Sequence, residues 1–277
     1  MDILLNDDKP VEYYPYLEVG TGLDQRGEPI IIHKSLPIYV GEFSHQQTVI
    51  DYLILCSDLQ GVVQKKGDHI LLGKTLPEFL RLFLHIELAA DPDSKVGVLL
   101  CGDLYANLEK RGASGDAREV WITFKQHFDW VAGVAGNHDT FGTKEEQSDF
   151  QSSPGIHLLH KEHLQIDGLS IGGISGIIGR KGKPNRVEEG DFLITLKRLL
   201  KKGLDLVLLH ETPDFPELGF IGNPKIREVI EQAKDATVCC GHCFWGKTIV
   251  KTGHNTTIMN LDSKVVILKR KQANQDQ

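Results

Sequence analysis

Val134-Ala-Gly-Asn-His-Asp-Thr140 closes an apolar run, Trp130 to Ala135, in a polar turn, and the rest of the chain reads outward from it. A Gly-Asn-His-Asp turn alone says only that a strand has ended. Four other segments end or follow apolar runs in the same way: Ser57-Asp58-Leu59-Gln60-Gly61, Gly102-Asp103, His210 and Gly241-His242. The runs before them, Tyr52 to Cys56, Val96 to Cys101, Leu204 to His210 and Ala236 to Cys240, are short and mostly apolar, as strands covered on both faces require. Between the runs lie helical patterns. Apolar residues at 76, 79, 80, 83, 84, 86 and 88 predict a helix from Leu76 to Ala90. Further helices are expected over 116–128, from Phe192 to Lys202 with Gly203 as its C-terminal glycine, and from Pro224 to Lys234, opened by Asn223-Pro224. Strand, turn and helix in repetition predict an α/β fold, and in such sheets sites form just past the C-terminal ends of the strands.

The remaining segments are less regular. Leu164 to Gly173 reads as a hairpin, and Gly179 to Arg186 as a basic loop carrying Arg180, Lys181, Lys183 and Arg186. Lys247 to Lys251, Thr256 to Asn260 and Lys264 to Leu268 are three short strands that should close the fold in an antiparallel piece. In the first fifty residues, Pro29 to His33 and Leu36 to Val40 look like short strands that their prolines confine to an edge or to irregular structure. The expected organisation is an N-terminal extension (1–50) packed on one domain (51–270), followed by a disordered tail (271–277).

Composition sets outer bounds. The chain has 277 residues, and 31 basic against 38 acidic side chains leave a net charge of −7. That balance argues against broad affinity for nucleic acid or an anionic membrane. No run approaches the ~20 apolar residues of a membrane span. The start, Met1-Asp-Ile-Leu-Leu-Asn-Asp-Asp8, is too acidic and too briefly apolar for a signal peptide, so a cytoplasmic protein is expected. The cysteines at 56, 101, 239, 240 and 243 are then expected as thiols. Cys240-Gly-His-Cys243 has no second pair to complete a zinc ribbon, and it follows a strand where a redox pair would open a helix. His157, His160, His163 and His254 fall in hairpin or loop contexts and are read as surface or packing residues.

The strand ends supply Asp58, Gln60, Asp103, Asn137, His138, Asp139, His210 and His242. Carboxylate, carboxamide oxygen and imidazole together form a mixed oxygen and nitrogen donor set, suited to Mn, Fe, Zn or Co. One strand-end Asp or His is usually a cap or a turn former; several in succession point to a metal centre held on rigid elements.

The order Asp58-x-Gln60, Gly102-Asp103, Gly136-Asn137-His138-Asp139, His210, Gly241-His242 resembles the calcineurin-like metallophosphoesterases, over about residues 52–268. The resemblance implies a two-layered β-sandwich flanked by helices, a four-layer α/β/β/α arrangement, with a two-metal site at the strand ends. It implies that Asp103 bridges two ions, that Asn137, His210 and His242 complete the second ion's site, and that Asp58 binds the first. It makes His138 the general acid and phosphate-contacting imidazole, oriented by Asp139. Asn137 and His138 would contact the substrate; the basic loop reads first as a solvated turn, with contact between Arg180 and an anionic substrate as the alternative.

Two positions depart from the family pattern. Gln60 stands where the first block ends in His, and Phe244 where the last block has its second His. Both would be imidazoles of the first ion's site. What remains there, Asp58, Asp103 and the Gln60 oxygen, favours a harder, more weakly held ion such as Mg²⁺ or Mn²⁺. The expectation is one or two divalent ions, the second site more surely filled than the first, in an enzyme that hydrolyses a small phosphomonoester or phosphodiester. The alternative is a catalytically weak or inactive chain that uses the same fold to bind a protein partner.

Overall fold

Tyr52–Ser57, Val96–Leu100 and Trp130–Gly133 lie side by side as parallel strands, each buried along its whole length in the computed structural model. The model describes residues 1–180 and 182–271; Lys181 of the basic loop and all of the expected tail beyond Lys271 lie outside the described residues. Burial on both faces explains the unbroken apolar runs, since a residue on either side of the pleat meets a core. Leu53, Leu55, Leu99 and Ala132 face one cluster, while Ile54, Val98 and Val131 face another.

These strands belong to a ten-stranded sheet in the order Ile156–Leu158, Trp130–Gly133, Val96–Leu100, Tyr52–Ser57, Lys264–Arg270, Pro29–Ser44, Glu12–Leu23, Val62–Lys65, Asp68–Leu71, with Asp2–Leu5 paired to Pro29–Ser44. A second sheet has six strands: Glu162–Ile166, Leu169–Ile174, Leu206–Leu209, Thr237–Cys240, Thr257–Asn260 and Ile249–Lys251. Its four inner strands are parallel to one another, and its two edge strands pair antiparallel to them. Among the described residues five α-helices complete a mixed α/β fold: α1 (Leu72–Ile86), α2 (Arg118–His127), α3 (Lys144–Gln151), α4 (Glu189–Leu200) and α5 (Pro224–Glu231).

Three cores follow from this arrangement. Leu72, Leu76, Leu80 and Leu84, four residues apart on α1, pack with Val120, Trp121 and Phe124 of α2 on one face of the large sheet. The opposite face meets Ile171, Leu206, Leu208, Cys239 and Met259 of the second sheet. The far side of the second sheet is covered by Phe192 and Leu196 of α4 and Ile226 and Ile230 of α5.

Some segments differ from the sequence reading. Residues 29–44 are one sixteen-residue strand in the interior of the large sheet, between Lys264–Arg270 and Glu12–Leu23, and are not two edge strands. The prolines are tolerated because Pro29 opens the strand and Pro37 falls one residue before the ladder to Lys264–Arg270 begins at Ile38. The C-terminal strands do not form a single antiparallel piece. Ile249–Lys251 and Thr257–Asn260 stay in the second sheet, while Lys264–Arg270 crosses to the first. Helix α3 was absent from the apolar pattern, and a capping box starts it: Thr143 Oγ1 accepts from the Glu146 amide, and Glu146 Oε2 accepts from the Thr143 amide.

Away from the strand ends that carry the polar turns, Asp205 ties the sheets together. Its Oδ2 accepts from the Ser170 amide (2.8 Å) and hydroxyl (2.6 Å), and its Oδ1 lies 2.9 Å from His45 Nε2, in the loop after Pro29–Ser44. Burial pushes this carboxyl up, but the Ser170 and His45 contacts outweigh it and hold it below the usual carboxylate range. A depressed folded value adds stability above the ordinary ~3.9, and that stability is lost as pH falls through the folded value. Asp205→Asn is expected to cost about 1–3 kcal/mol at pH 7. In urea unfolding, the gap to wild type should narrow as pH falls below ~4 towards the depressed folded value, and be smallest beneath it, where both proteins lack the charge.

Candidate metal centre

Each polar turn leaves the C-terminal end of a parallel strand, so the two sheets deliver their side chains to one place. Asp58, Asp103 and Asn137 follow strands of the large sheet, while His210 and His242 follow Leu206–Leu209 and Thr237–Cys240 of the second. Hydrogen bonds lock the turns within each sheet and across the seam. The Gly241 amide donates to His210 O (3.1 Å), the Asp58 amide to Gly102 O (2.8 Å), and the His242 amide to Asp58 Oδ2 (2.9 Å).

The central turn is organised by Asp139, which is 1% exposed. Its Oδ2 accepts from the amides of Asp103 (2.9 Å) and Gly136 (2.8 Å), and its Oδ1 from that of Leu104 (2.8 Å). Asp103 reciprocates, with Oδ1 accepting from the His138 amide at 2.8 Å. Asp139 was expected to orient the His138 ring; its oxygens are engaged by backbone amides, and the Ser114 hydroxyl lies 3.2 Å from His138 Nδ1. Burial pushes the Asp139 carboxyl up to about 6, raised further by the charge on Asp103 and opposed by its amide donors.

The glycines of these blocks are steric requirements. A Cβ on Gly136 would lie 2.0 Å from Asp103 Oδ1, and one on Gly241 would lie 2.1 Å from Ser57 Oγ and 2.4 Å from Asp58 Oδ2. Asp58, Asp103 and His242 also adopt left-handed backbone conformations, with φ of 54°, 53° and 70°. Such conformations cost of order 1–3 kcal/mol each for residues with side chains, and they gather where function over-determines the geometry.

Asp103, His210 and His242 each bring a potential ligand atom to within 4.8 Å of the others. His210 is 0% exposed, and its Nδ1 lies 2.7 Å from Cys101 O, the contact of a ring N–H with a carbonyl. That fixes Nε2 towards Asn137 Oδ1 (3.1 Å) and Asp103 Oδ2 (3.4 Å), the orientation that an outer-shell carbonyl gives to a metal-binding imidazole. Burial alone would depress the His210 pKa, but Asp103 outweighs it and raises it to about 10. Asp103 moves oppositely: burial pushes it up, and His210 more than reverses that. A ligating imidazole is neutral, so taking up an ion at His210 displaces a proton. His242 already suits the role, because burial, with the charge on His210 adding to it, lowers its pKa to about 4. Carboxylate, carboxamide oxygen and two imidazoles converging in this way fit one divalent ion.

The other expected residues are placed differently. Asp58 lies 8% exposed, its Oδ2 accepting from the Ser57 hydroxyl (2.6 Å) as well as the His242 amide; burial and then the neighbouring Asp262 push its carboxyl well up. Gln60 is half-buried with Nε2 3.3 Å from Asp103 Oδ2. Phe244 is 62% exposed. Its ring centroid lies 4.4 Å from Nζ of Lys264, a fully buried lysine whose ammonium contacts Asn260 Oδ1 (3.0 Å). Burial lowers the Lys264 pKa to about 8. Arg180 is exposed, whereas Arg186 of the same loop is half-buried and its charge reaches His242 and Glu211. The five cysteines are free thiols: Cys240 is buried, with Sγ 3.5 Å from Met259 O, and burial pushes Cys243 up to about 11, against a thiolate there.

Sequence reasoning missed three residues. Asn185 donates through Nδ2 to Gly136 O (2.8 Å) and Asp139 O (2.7 Å), bracing the central turn from the basic loop. Ser114 holds the His138 ring, and Asp262 faces Asp58. Each sits in an irregular segment, where neither periodicity nor a motif marks it.

No family model matches the chain, and no curated protein matches it. Among solved structures it is similar to the phosphopantetheinyl hydrolase PptH from Mycobacterium tuberculosis, with a TM-score of 0.45 and 12% identity, over 78% of this chain and 90% of that one. A likeness of that extent leaves the site to rest on its own geometry.

Gly136→Ala is expected to destabilise the protein by about 1–3 kcal/mol or more and to abolish metal uptake, because the new methyl forces the two turns apart. Chemical unfolding together with Mn²⁺ titration calorimetry reads both effects. Gly246, whose Cβ would meet nothing within 4 Å, is the control and should tolerate Ala with uptake unchanged.

Proposed function

We propose that the chain is a metal-dependent phosphoester hydrolase of the calcineurin-like metallophosphoesterase type, acting on a small phosphorylated substrate. One observation carries this reading: the carboxylate of Asp103 and the imidazoles of His210 and His242 converge within 4.8 Å, with Asn137 Oδ1 against His210 Nε2. The block order in the sequence and the sequence of three cores, helices on sheet, sheet on sheet, sheet on helices, support the same reading, including the four-layer sandwich.

Asp103, Asn137, His210 and His242 would hold the ion. A divalent ion there supplies Lewis acidity, polarising phosphoryl oxygens and acidifying water towards pKa ~7 in favourable cases. The chain's own groups supply position and protons. Hydrolysis forms a bond from water oxygen to phosphorus and breaks the bond to the ester oxygen, which needs a proton as it leaves. In this reading His138 gives that proton. Its amide is fixed on Asp103 Oδ1 and its Nδ1 on Ser114, which leaves Nε2 for the substrate. Among the described cations of the basic loop, Arg186, whose charge reaches His242, is the one offered to the negative charge of a phosphoryl group.

The test is turnover of a generic aryl phosphodiester with added Mn²⁺, alongside metal content. Wild type should bind metal and turn over, and His242→Ala and Asn137→Ala should lose both. His138→Ala should keep its metal and lose about 10²–10⁴ in kcat, the usual contribution of a positioned proton donor. A wild-type chain with neither metal nor turnover contradicts the reading and favours the protein-binding alternative.

A further inference from the structure

The groups on the first ion's side of the centre do not fit a second ion, and from this we propose that the centre is mononuclear. One divalent ion is held by Asp103, Asn137, His210 and His242, and the protein's own donors close the side where a partner ion would bind. The inference rests on the metal-dependent reading above and narrows it.

Gln60 is the first of these groups. A carboxylate offers only acceptors, so a carboxamide 3.3 Å from Asp103 Oδ2 meets it through the N–H₂ end; the reverse orientation would set two acceptors face to face. Asp103 Oδ2, which also lies 3.4 Å from His210 Nε2, thus accepts a hydrogen bond from Gln60 and would have one lone pair fewer to offer a second ion. Asp58 is the second. Its Oδ2 already accepts from the Ser57 hydroxyl and the His242 amide, so it serves to join the first and last blocks. Third, Phe244 supplies no ligand atom, and its ring is exposed.

Lys264 completes the set. Its ammonium is fixed by Asn260 Oδ1 at 3.0 Å and by the Asn260 and Asp262 carbonyls at 3.5 and 3.4 Å, with the Phe244 ring 4.4 Å away. Its charge acts on Asp262 and Asp58. A buried cation held at the Asp262 carbonyl offsets carboxylate charge there and repels a dication from the same place. Phe244 and Lys264 belong together physically, since an aromatic face accommodates an ammonium where an imidazole ligand would compete with it for protons and ions. Asp103, in this arrangement, is a terminal ligand, kept in orientation by Gln60 and His138 N–H.

The experiment uses the 277-residue chain, stripped of metal, reloaded with excess Mn²⁺ and desalted. Metal per chain is measured by mass spectrometry, and the Mn²⁺ environment by electron paramagnetic resonance. One Mn²⁺ per chain with the six-line spectrum of an isolated ion is the expected result. Two per chain with an exchange-coupled spectrum overturns the inference while leaving the hydrolase reading standing; none overturns both. Gln60→His combined with Phe244→His, checked for folding by circular dichroism, should take up a second Mn²⁺ and acquire a coupled spectrum. If that double variant stays at one ion, Gln60 and Phe244 are not what closes the site.

Discussion

The carboxylate of Asp139 is the interaction on which the rest of the centre depends. Three backbone amides, from Asp103, Leu104 and Gly136, converge on it, so two strand-end turns distant in sequence become one rigid unit. Hydrogen bonds to a charged acceptor are worth about 1.5–3 kcal/mol each, and leaving the amides unpaired would cost more than that interaction is worth in water. Asp103 closes the unit from the other side through the His138 amide, and Asn185 holds its carbonyls. Asn137, His138 and Asp103 therefore have fixed positions before any ligand arrives.

The second sheet is brought into register with this unit by few contacts. His210 reaches across to Cys101 O, Gly241 lies against Ser57 and Asp58, and the His242 amide caps Asp58. The backbone at Asp58, Asp103 and His242 is held left-handed to allow it. Those costs are borne by the apolar contact between the sheets, where Leu53, Leu55 and Leu99 meet Leu206, Leu208 and Met259. At about 25 cal/mol for each Å² of apolar surface buried, such a layer offsets strained turns at its rim.

How much of this was legible in the sequence depended on the physics of each segment. Strands buried on both faces announce themselves as continuous apolar runs, so Tyr52–Ser57, Val96–Leu100 and Thr237–Cys240 were placed almost to the residue. Pro29–Ser44 was not, because its half-exposed, proline-bearing pattern imitates an edge strand while the pairing that puts it inside comes from residues 264–270, far along the chain. Helix α3 has a legible start in Thr143-x-x-Glu146 but only Phe150 buried, too little apolar surface for periodicity to reveal. In the centre, the residues that end strands were readable by type and order. Their partners were not: that Asp139 grips amides, that Ser114 meets His138, and that Lys264 stands under Phe244 are facts of three-dimensional proximity between irregular segments.

A crystal of the protein grown with Mn²⁺ and measured at the manganese absorption edge tests the account most directly. An anomalous peak in contact with Asp103, Asn137, His210 and His242, within about 2.0–2.3 Å of their donor atoms, is the predicted result. No peak at these residues, or a peak only elsewhere on the molecule, would contradict it.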